Sequence, residues 1–249
     1  MPEGDTIFRA AATLHRALSG SQVTAFETQF PALARIEVNG RTIEFARAAG
    51  KWLQIGFSGD LVLLTHMLMS GSWHIYRPGE RWRKSRYHMR IVIATPSIIA
   101  VAFDVPVAEF HTAKSLARRY QLGPDVMSAN FDQAAAVLNL ESHPDLEVGV
   151  ALLTQSIIAG IGNLYKSEIC FQTAINPFER ISALSRDQLQ SLVSTAKKLM
   201  SAPRPHFVYR RTGDPCTKCG TPILSRKQGV DARTTFWCPI CQQHYQLVP

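Results

Sequence analysis

No stretch of this chain approaches the ~18–20 consecutive apolar residues that a membrane-spanning helix needs. The N-terminus carries Glu3 and Asp5 and has no basic segment leading into an apolar core, so a secretory leader is not expected either. Cysteine is scarce, with five residues in 249, and four of them form two close pairs near the C-terminus. In a cytosolic chain such pairs read as metal ligands ahead of disulfides. Internal repeats and low-complexity segments are absent, which excludes solenoid architectures. Acidic residues are in the minority, 19 against 27 Lys and Arg, for a formal net charge of +8. That excess points to a polyanionic partner, nucleic acid first and an anionic membrane surface second. The length suffices for two domains, and 46% hydrophobic residues suits globular cores.

The unusual chemistry sits at the very start, Met1-Pro2-Glu3-Gly4. If Met1 is removed, the chain opens on a proline amine beside a carboxylate. A lysine side chain titrates near ~10.4 and is almost wholly protonated at pH 7, whereas an α-amine titrates near ~7.7–8 and is on the order of a tenth free base. A terminal secondary amine therefore needs little activation to attack an aldehyde-like carbon and form an iminium. By themselves these residues read first as the frayed start of any chain.

Residues 5–18 read as a helix, with Asp5 as N-cap and Ile7, Ala11, Leu14 and Leu18 at helical spacing. From about 22 to 110 the pattern turns to short β-rich runs, among them 41–46, 52–57, 61–65 and 89–94, broken by turn signals such as Asn39-Gly40 and Ser58-Gly59-Asp60. Closely spaced strands imply a sandwich or a barrel. Leu122-Gly123-Pro124-Asp125 reads as a boundary, and helices are expected over 131–138, 148–156, 163–173 and 186–200. A Pro-containing stretch, Ala202-Pro203-Arg204-Pro205, ends the helical part, and a cysteine-bearing β module follows.

Eighteen residues separate the pair Cys216 and Cys219 from the pair Cys238 and Cys241, the spacing of a four-cysteine zinc site. Two such pairs fill a tetrahedral ion completely, so the metal would serve folding rather than catalysis. His244 is surplus to that set and reads as an exposed histidine. Between 201 and 249 seven basic residues face two acids, and Arg226, Lys227 and Arg233 lie between the pairs. This suits phosphate binding, although any one of these residues is as readily a solvated charge. In Gln155 to Glu168 a helix runs into Gly160-Ile161-Gly162 and Asn163 opens another. A helix start of this kind binds phosphate, and equally forms a tight corner. Lys51 follows Gly50 before an apolar strand, as many hairpin tips do. Met69 lies in a Gly-containing turn, where an exposed apolar side chain can wedge between bases. Arg77 to Arg90 holds six basic residues with Trp82 and Tyr87 interleaved, either a nucleic-acid contact or a solvated hairpin loop.

Taken in order, these pieces resemble the formamidopyrimidine-DNA glycosylase/endonuclease VIII family over nearly the whole chain. The resemblance is carried by the Pro-Glu start, Gly50-Lys51, His66-Met67-Leu68-Met69-Ser70-Gly71, Leu122-Gly123-Pro124, the run from Ala159 to Tyr165, Asn176-Pro177, Val208-Tyr209 and the zinc ribbon. The opening Pro-Glu-Gly-Asp-Thr is similar to the bacterial endonuclease VIII-like branch. The resemblance implies an α+β chain: an N-terminal β-sandwich with a flanking helix (1–121), a hinge (122–130), a helix–two-turn–helix domain (131–206) and a zinc module (207–249). It implies a bifunctional DNA glycosylase/AP lyase of base excision repair. In that role Pro2 attacks C1′, Glu3 acts as acid/base at the sugar and Lys51 assists there. Met69, with neighbouring Leu68, fills the gap left by the flipped nucleotide. Asn163 and Arg233 hold phosphates, and Cys216, Cys219, Cys238 and Cys241 hold one structural zinc. The iminium would collapse by β,δ-elimination. The partner would be double-stranded DNA with damaged bases or abasic sites, bound by a monomer in the cytoplasm at the nucleoid, with no membrane.

Three departures from the family pattern stand out. Thr6 occupies the region of a second glutamate. Phe103-Asp104-Val105-Pro106-Val107-Ala108 replaces a loop that supplies void-filling Arg and Phe in the 8-oxoguanine branch. Residues 201–206 replace that branch's long glycine-rich capping loop. The last two favour oxidised pyrimidines. Competing readings are a non-cleaving module for damaged DNA and a zinc-ribbon transcription factor; intact Pro2, Glu3 and Lys51 argue against both. Cys170 reads as a buried structural thiol.

Overall fold

The computed structural model describes residues 2–202 and 206–243; Pro203, Arg204, Pro205 and His244 lie outside them. The chain divides into two compact units, Met1–Gln121 and Leu122–Pro249. The elements run α1 (Gly4–Leu18), β1 (Ala25–Thr28), β2 (Ile43–Ala49), β3 (Trp52–Phe57), β4 (Leu61–His66), β5 (Ser72–Tyr76), β6 (Met89–Ala94), β7 (Ile99–Phe103), β8 (Val107–His111) and α2 (Ala113–Arg119) in the first unit. They continue as α3 (Gln133–Glu141), α4 (Val148–Ala151), α5 (Asn163–Gln172), α6 (Arg186–Met200), β9 (Leu224–Gln228) and β10 (Arg233–Trp237) in the second.

The first unit is a β-sandwich of two four-stranded antiparallel sheets, ordered β1-β6-β7-β5 and β2-β3-β4-β8. Its core takes Leu53, Ile55 and Leu63 from one sheet, Ile91, Ile93, Ala100 and Ala102 from the other, and the stripe Ile7, Ala11, Leu14, Leu18 from α1. That stripe is the three-and-four spacing visible in the sequence. Asp5 is not the cap of α1. Glu3 holds the N-cap position, with extended backbone, and Asp5 lies buried in the first turn, accepting a 2.6 Å bond from Arg9 Nη2. Arg9 stands one turn on from this carboxylate, as an (i, i+4) pair. The 77–88 segment is not a hairpin loop either: β5 and β6 do not pair with each other, and both flank β7.

In the second unit, Val126, Val137, Leu140, Val148, Leu152, Ile157, Tyr165, Leu192 and Val193 share one core. Helix α6 has the expected bounds because Ser185 and Gln188 form a reciprocal capping box at its start. The helix expected over 148–156 stops at Ala151. The Thr154 hydroxyl donates to the Val150 carbonyl, and the Gln155 amide ties Leu153 O, Ile161 O and Gly160 N into an irregular turn. A small third core of Phe171, Val208, Ile223 and Phe236 lies beside Cys216 and Cys238. Cys170 is fully buried, and burial pushes its thiol pKa up to about 12.

Candidate reaction site and nucleic-acid interface

Two hydrogen bonds fix how α1 lies on the first sheet. The Ala46 N–H donates to His15 Nδ1, and the Ser19 hydroxyl donates to Glu44 O, so the helix runs antiparallel to β2. From His15 back to Glu3 is about 18 Å of helix at 1.5 Å per residue. From Ala46 forward to Lys51 is about 17 Å of strand at 3.3 Å per residue. The start of α1 and the β2–β3 turn therefore reach the same end of the sandwich. Glu3 is 1% exposed there, while Pro2 is half-buried. The two-residue turn between Ala49 and Trp52 places Gly50 at φ 58°, a conformation that favours glycine, and Lys51 follows it.

His66 lies opposite Trp52 on β4, its ring edge-on to the indole at 4.7 Å. Its pKa lies below the ordinary histidine value, through burial first and the charge of Lys51 second. His66 Nδ1 accepts from the Leu68 N–H at 3.1 Å, which starts the tight 67–71 turn. Leu68 sits at φ 43°, and the Gly71 N–H donates to Met67 O at 2.8 Å. A Cβ at Gly71 would lie 2.6 Å from that carbonyl oxygen, so the turn needs glycine. It presents Leu68, 43% exposed, and Met69, 63% exposed, while Met67 anchors in the core. Lys51, His66 and Met69 thus share one end of the first unit. Sequence reading singled out Lys51 and Met69 separately. It gave His66 no role, because nothing in the sequence shows that it faces Lys51 across two strands.

In the second unit, α5 begins at Asn163 with Gly162 as N-cap, so Asn163 is the first helical residue rather than the cap. Its amide Nδ2 donates to the Thr234 carbonyl at 2.8 Å, which sets the helix start beside Arg233 of the β9–β10 hairpin. Asn163 Oδ1 is buried with no hydrogen-bond partner among the described residues. Arg233 lines a cavity of about 200 Å³ with Gly149, Val150, Leu153, Gln228 and Gly229. Behind it a buried chain of polar groups locks hairpin to helix. Lys166 Nζ donates to Thr235 Oγ1, that hydroxyl donates to Gln228 Oε1, and Gln228 Nε2 donates to Glu147 and to Pro177 O. The buried Glu168 carboxylate accepts from the N–H groups of Phe207, Val208 and Tyr209. No motif in the sequence announces these supports, because all but the Thr235–Gln228 bond join residues about 40 to 80 positions apart.

The four paired cysteines converge, with all Sγ atoms within 4.8 Å of one another. Cys219–Cys238 and Cys216–Cys241 stand at 3.5 and 3.8 Å. A tetrahedral ion with bonds of about 2.3 Å to sulfur requires S···S edges of about 3.8 Å. Amides of Lys218 and Cys241 point at the sulfurs of Cys216 and Cys238 at 3.4 Å. The cluster therefore fits a metal ion.

Residues 1–105 match the model of the formamidopyrimidine-DNA glycosylase N-terminal domain, and residues 122–203 match that of the formamidopyrimidine-DNA glycosylase H2TH domain. A probable endonuclease 8 2 of Streptomyces coelicolor is 37% identical, covering 97% of this chain and 94% of its own. The chain belongs to the formamidopyrimidine-DNA glycosylase/endonuclease VIII family. A DNA-(apurinic or apyrimidinic site) lyase Nei2 of Mycolicibacterium smegmatis is 31% identical over 97% of this chain and 99% of its own. The formamidopyrimidine-DNA glycosylase of Lactococcus lactis, solved on DNA containing an AP site, shares the fold at TM-score 0.82 and 21% identity, covering 97% of this chain and 100% of that one. Members of this family thus include both glycosylase and lyase names, and the sandwich, the helical module and the converging cysteines of this chain conform to that fold.

Proposed function

We propose that this DNA glycosylase/AP lyase of base excision repair works through Pro2 as its N-terminal amine once Met1 is removed. The observation that carries the reading is the reach of α1 and the β2–β3 turn to one end of the sandwich, where the buried Glu3 carboxylate and Lys51 belong to the same surface. The Pro2 nitrogen attacks C1′ of a flipped nucleotide, the N-glycosidic bond breaks, and the base leaves with a proton. Glu3 delivers a proton to O4′ as the sugar ring opens to the iminium. Loss of a C2′ proton then breaks the C3′–O bond, and a second elimination breaks the C5′–O bond. Lys51 holds the phosphate beside the sugar, and neutral His66 adds no competing positive charge to that corner. Met69 and Leu68 fill the vacated stack.

Asn163, through the second N–H of its amide, and Arg233 grip phosphates near the lesion. Cys216, Cys219, Cys238 and Cys241 hold one structural zinc, which keeps the Arg233 hairpin in shape. A catalytic sandwich (1–121), a hinge (122–130), a helical module (131–206) and a zinc module (207–249), acting as a monomer at the nucleoid, belong to the same reading. No helix of the described residues is long and apolar enough to cross a membrane. Oxidised pyrimidines are the substrates this reading favours. Only three residues join β7 to β8, leaving no room for a long loop with void-filling Arg and Phe.

Borohydride trapping on duplexes carrying 5-hydroxyuracil or an abasic site tests the mechanism. Covalent adducts are expected on both with the wild-type protein. Pro2→Gly and Glu3→Gln each lower base excision by about 10²-fold or more while DNA affinity persists. Wild-type excision by either variant overturns the assignment.

A further inference from the structure

We propose that Tyr87 is a second stacking residue, which packs its ring on the base left unpaired opposite the flipped nucleotide, beside the Met69 wedge. The inference rests on the DNA glycosylase reading above and names a DNA contact within it. Met89 of β6 and Ser72 of β5 both lie opposite Phe103 of β7, so the chain entering β6 and the chain entering β5 meet at one sheet end. The peptide that follows Phe103 joins them: the Asp104 N–H donates to His88 O at 2.8 Å, and Asp104 O accepts from the Ser70 hydroxyl at 3.3 Å. Tyr87 and Met69 are each the residue just before one of those two contacts.

The turn that carries Tyr87 is held from several sides. Arg86 makes a two-pronged contact with Glu27 on β1 at 2.6 and 2.8 Å. Arg90 Nη1 donates to the carbonyls of Tyr87 and Met89, both at 3.0 Å. His88 Nδ1 lies 2.7 Å from one oxygen of Asp104, and Lys84 Nζ lies 2.9 Å from the other. Within this frame Tyr87 is 83% exposed, its ring meeting the His88 ring edge-on at 5.4 Å. An exposed aromatic on this braced turn has the chemistry of a base-stacking platform, a π-face on which any base can stack. It also answers the missing void-filling loop, because the β7–β8 connection is short but anchors a turn that carries a ring. The basic segment then acts mainly as a brace, since Lys84 and Arg86 are already committed to Asp104 and Glu27.

Binding of wild type, Tyr87→Ala and Tyr87→Phe is measured on a duplex with a tetrahydrofuran abasic analogue opposite 2-aminopurine, and on the undamaged duplex. Tyr87→Ala is expected to weaken the lesion duplex about tenfold and to leave the 2-aminopurine emission brighter than in the wild-type complex. Tyr87→Phe keeps both wild-type values, and the undamaged duplex binds all three alike. Equal affinity and equal emission for Tyr87→Ala and wild type overturn the proposal, and so does a Tyr87→Phe variant as weak as Tyr87→Ala, which would assign the effect to the hydroxyl. Failure of the parent reading shows differently, as a wild-type protein that borohydride cannot trap on abasic DNA.

Discussion

At neutral pH the His66 imidazole is mostly uncharged, because burial and then Lys51 hold its pKa below the ordinary value. An unfolded chain takes up that proton near pH ~6.5, and the folded chain resists it, so this residue lowers stability as the pH falls through and below that value. Lys51→Met is expected to raise the His66 pKa part of the way back, since burial remains; NMR titration of the ring protons reads the shift, and an unmoved pKa would separate the two residues. Asp104 behaves oppositely. Hydrogen bonds from Lys84 and then His88 hold its carboxyl below the usual range, so it contributes stability above the unfolded pKa near ~3.9 that is lost as the pH falls through the folded value. Asp104→Asn is expected to melt below wild type at pH 7, with the gap closing toward pH 3 in thermal scans.

Among the elements, the 67–71 turn and α6 show what local chemistry controls. A methyl group at Gly71 meets the Met67 carbonyl, so Gly71→Ala is expected to cost about 2 kcal/mol in denaturant titrations and to displace Met69. Helix α6 has the bounds its sequence implies, and the capping box that starts it joins residues three positions apart. The start of α1 differs, because Asp5 resembles a cap and instead pairs with Arg9. The 148–156 segment misled for a similar reason: its apolar run suits a helix, while the side chains of Thr154 and Gln155 bond the backbone in a competing turn.

Across the second unit, stability and the placement of the β9–β10 hairpin are coupled through buried polar contacts. Glu168→Ala leaves three amides of 207–209 without their acceptor and is expected to destabilise this unit by about 3 kcal/mol, read by urea unfolding. Removing the metal with a chelator is expected to loosen the Phe171–Val208–Ile223–Phe236 core beside the cysteines, and with it the seat of Arg233. Loss of DNA binding on chelation, restored by added zinc, checks this; unchanged binding would detach the hairpin from the metal.

The sequence by itself determined the motifs whose meaning is local: a Pro-Glu start, cysteine pairs at metal spacing, a Gly-Lys turn, the apolar stripe of α1 and the capped α6. In each, the chemistry depends on residues a few positions apart. Only the tertiary structure decided what lies beside what. It set α1 antiparallel to β2, so that Glu3 and Lys51 reach one end, and it put His66 against Lys51. It tied Asn163 to Thr234 and joined the turns of Met69 and Tyr87 through the peptide of Asp104. Those meetings span tens of positions in the chain, and they arise from sheet order and helix direction, which no short window of sequence contains.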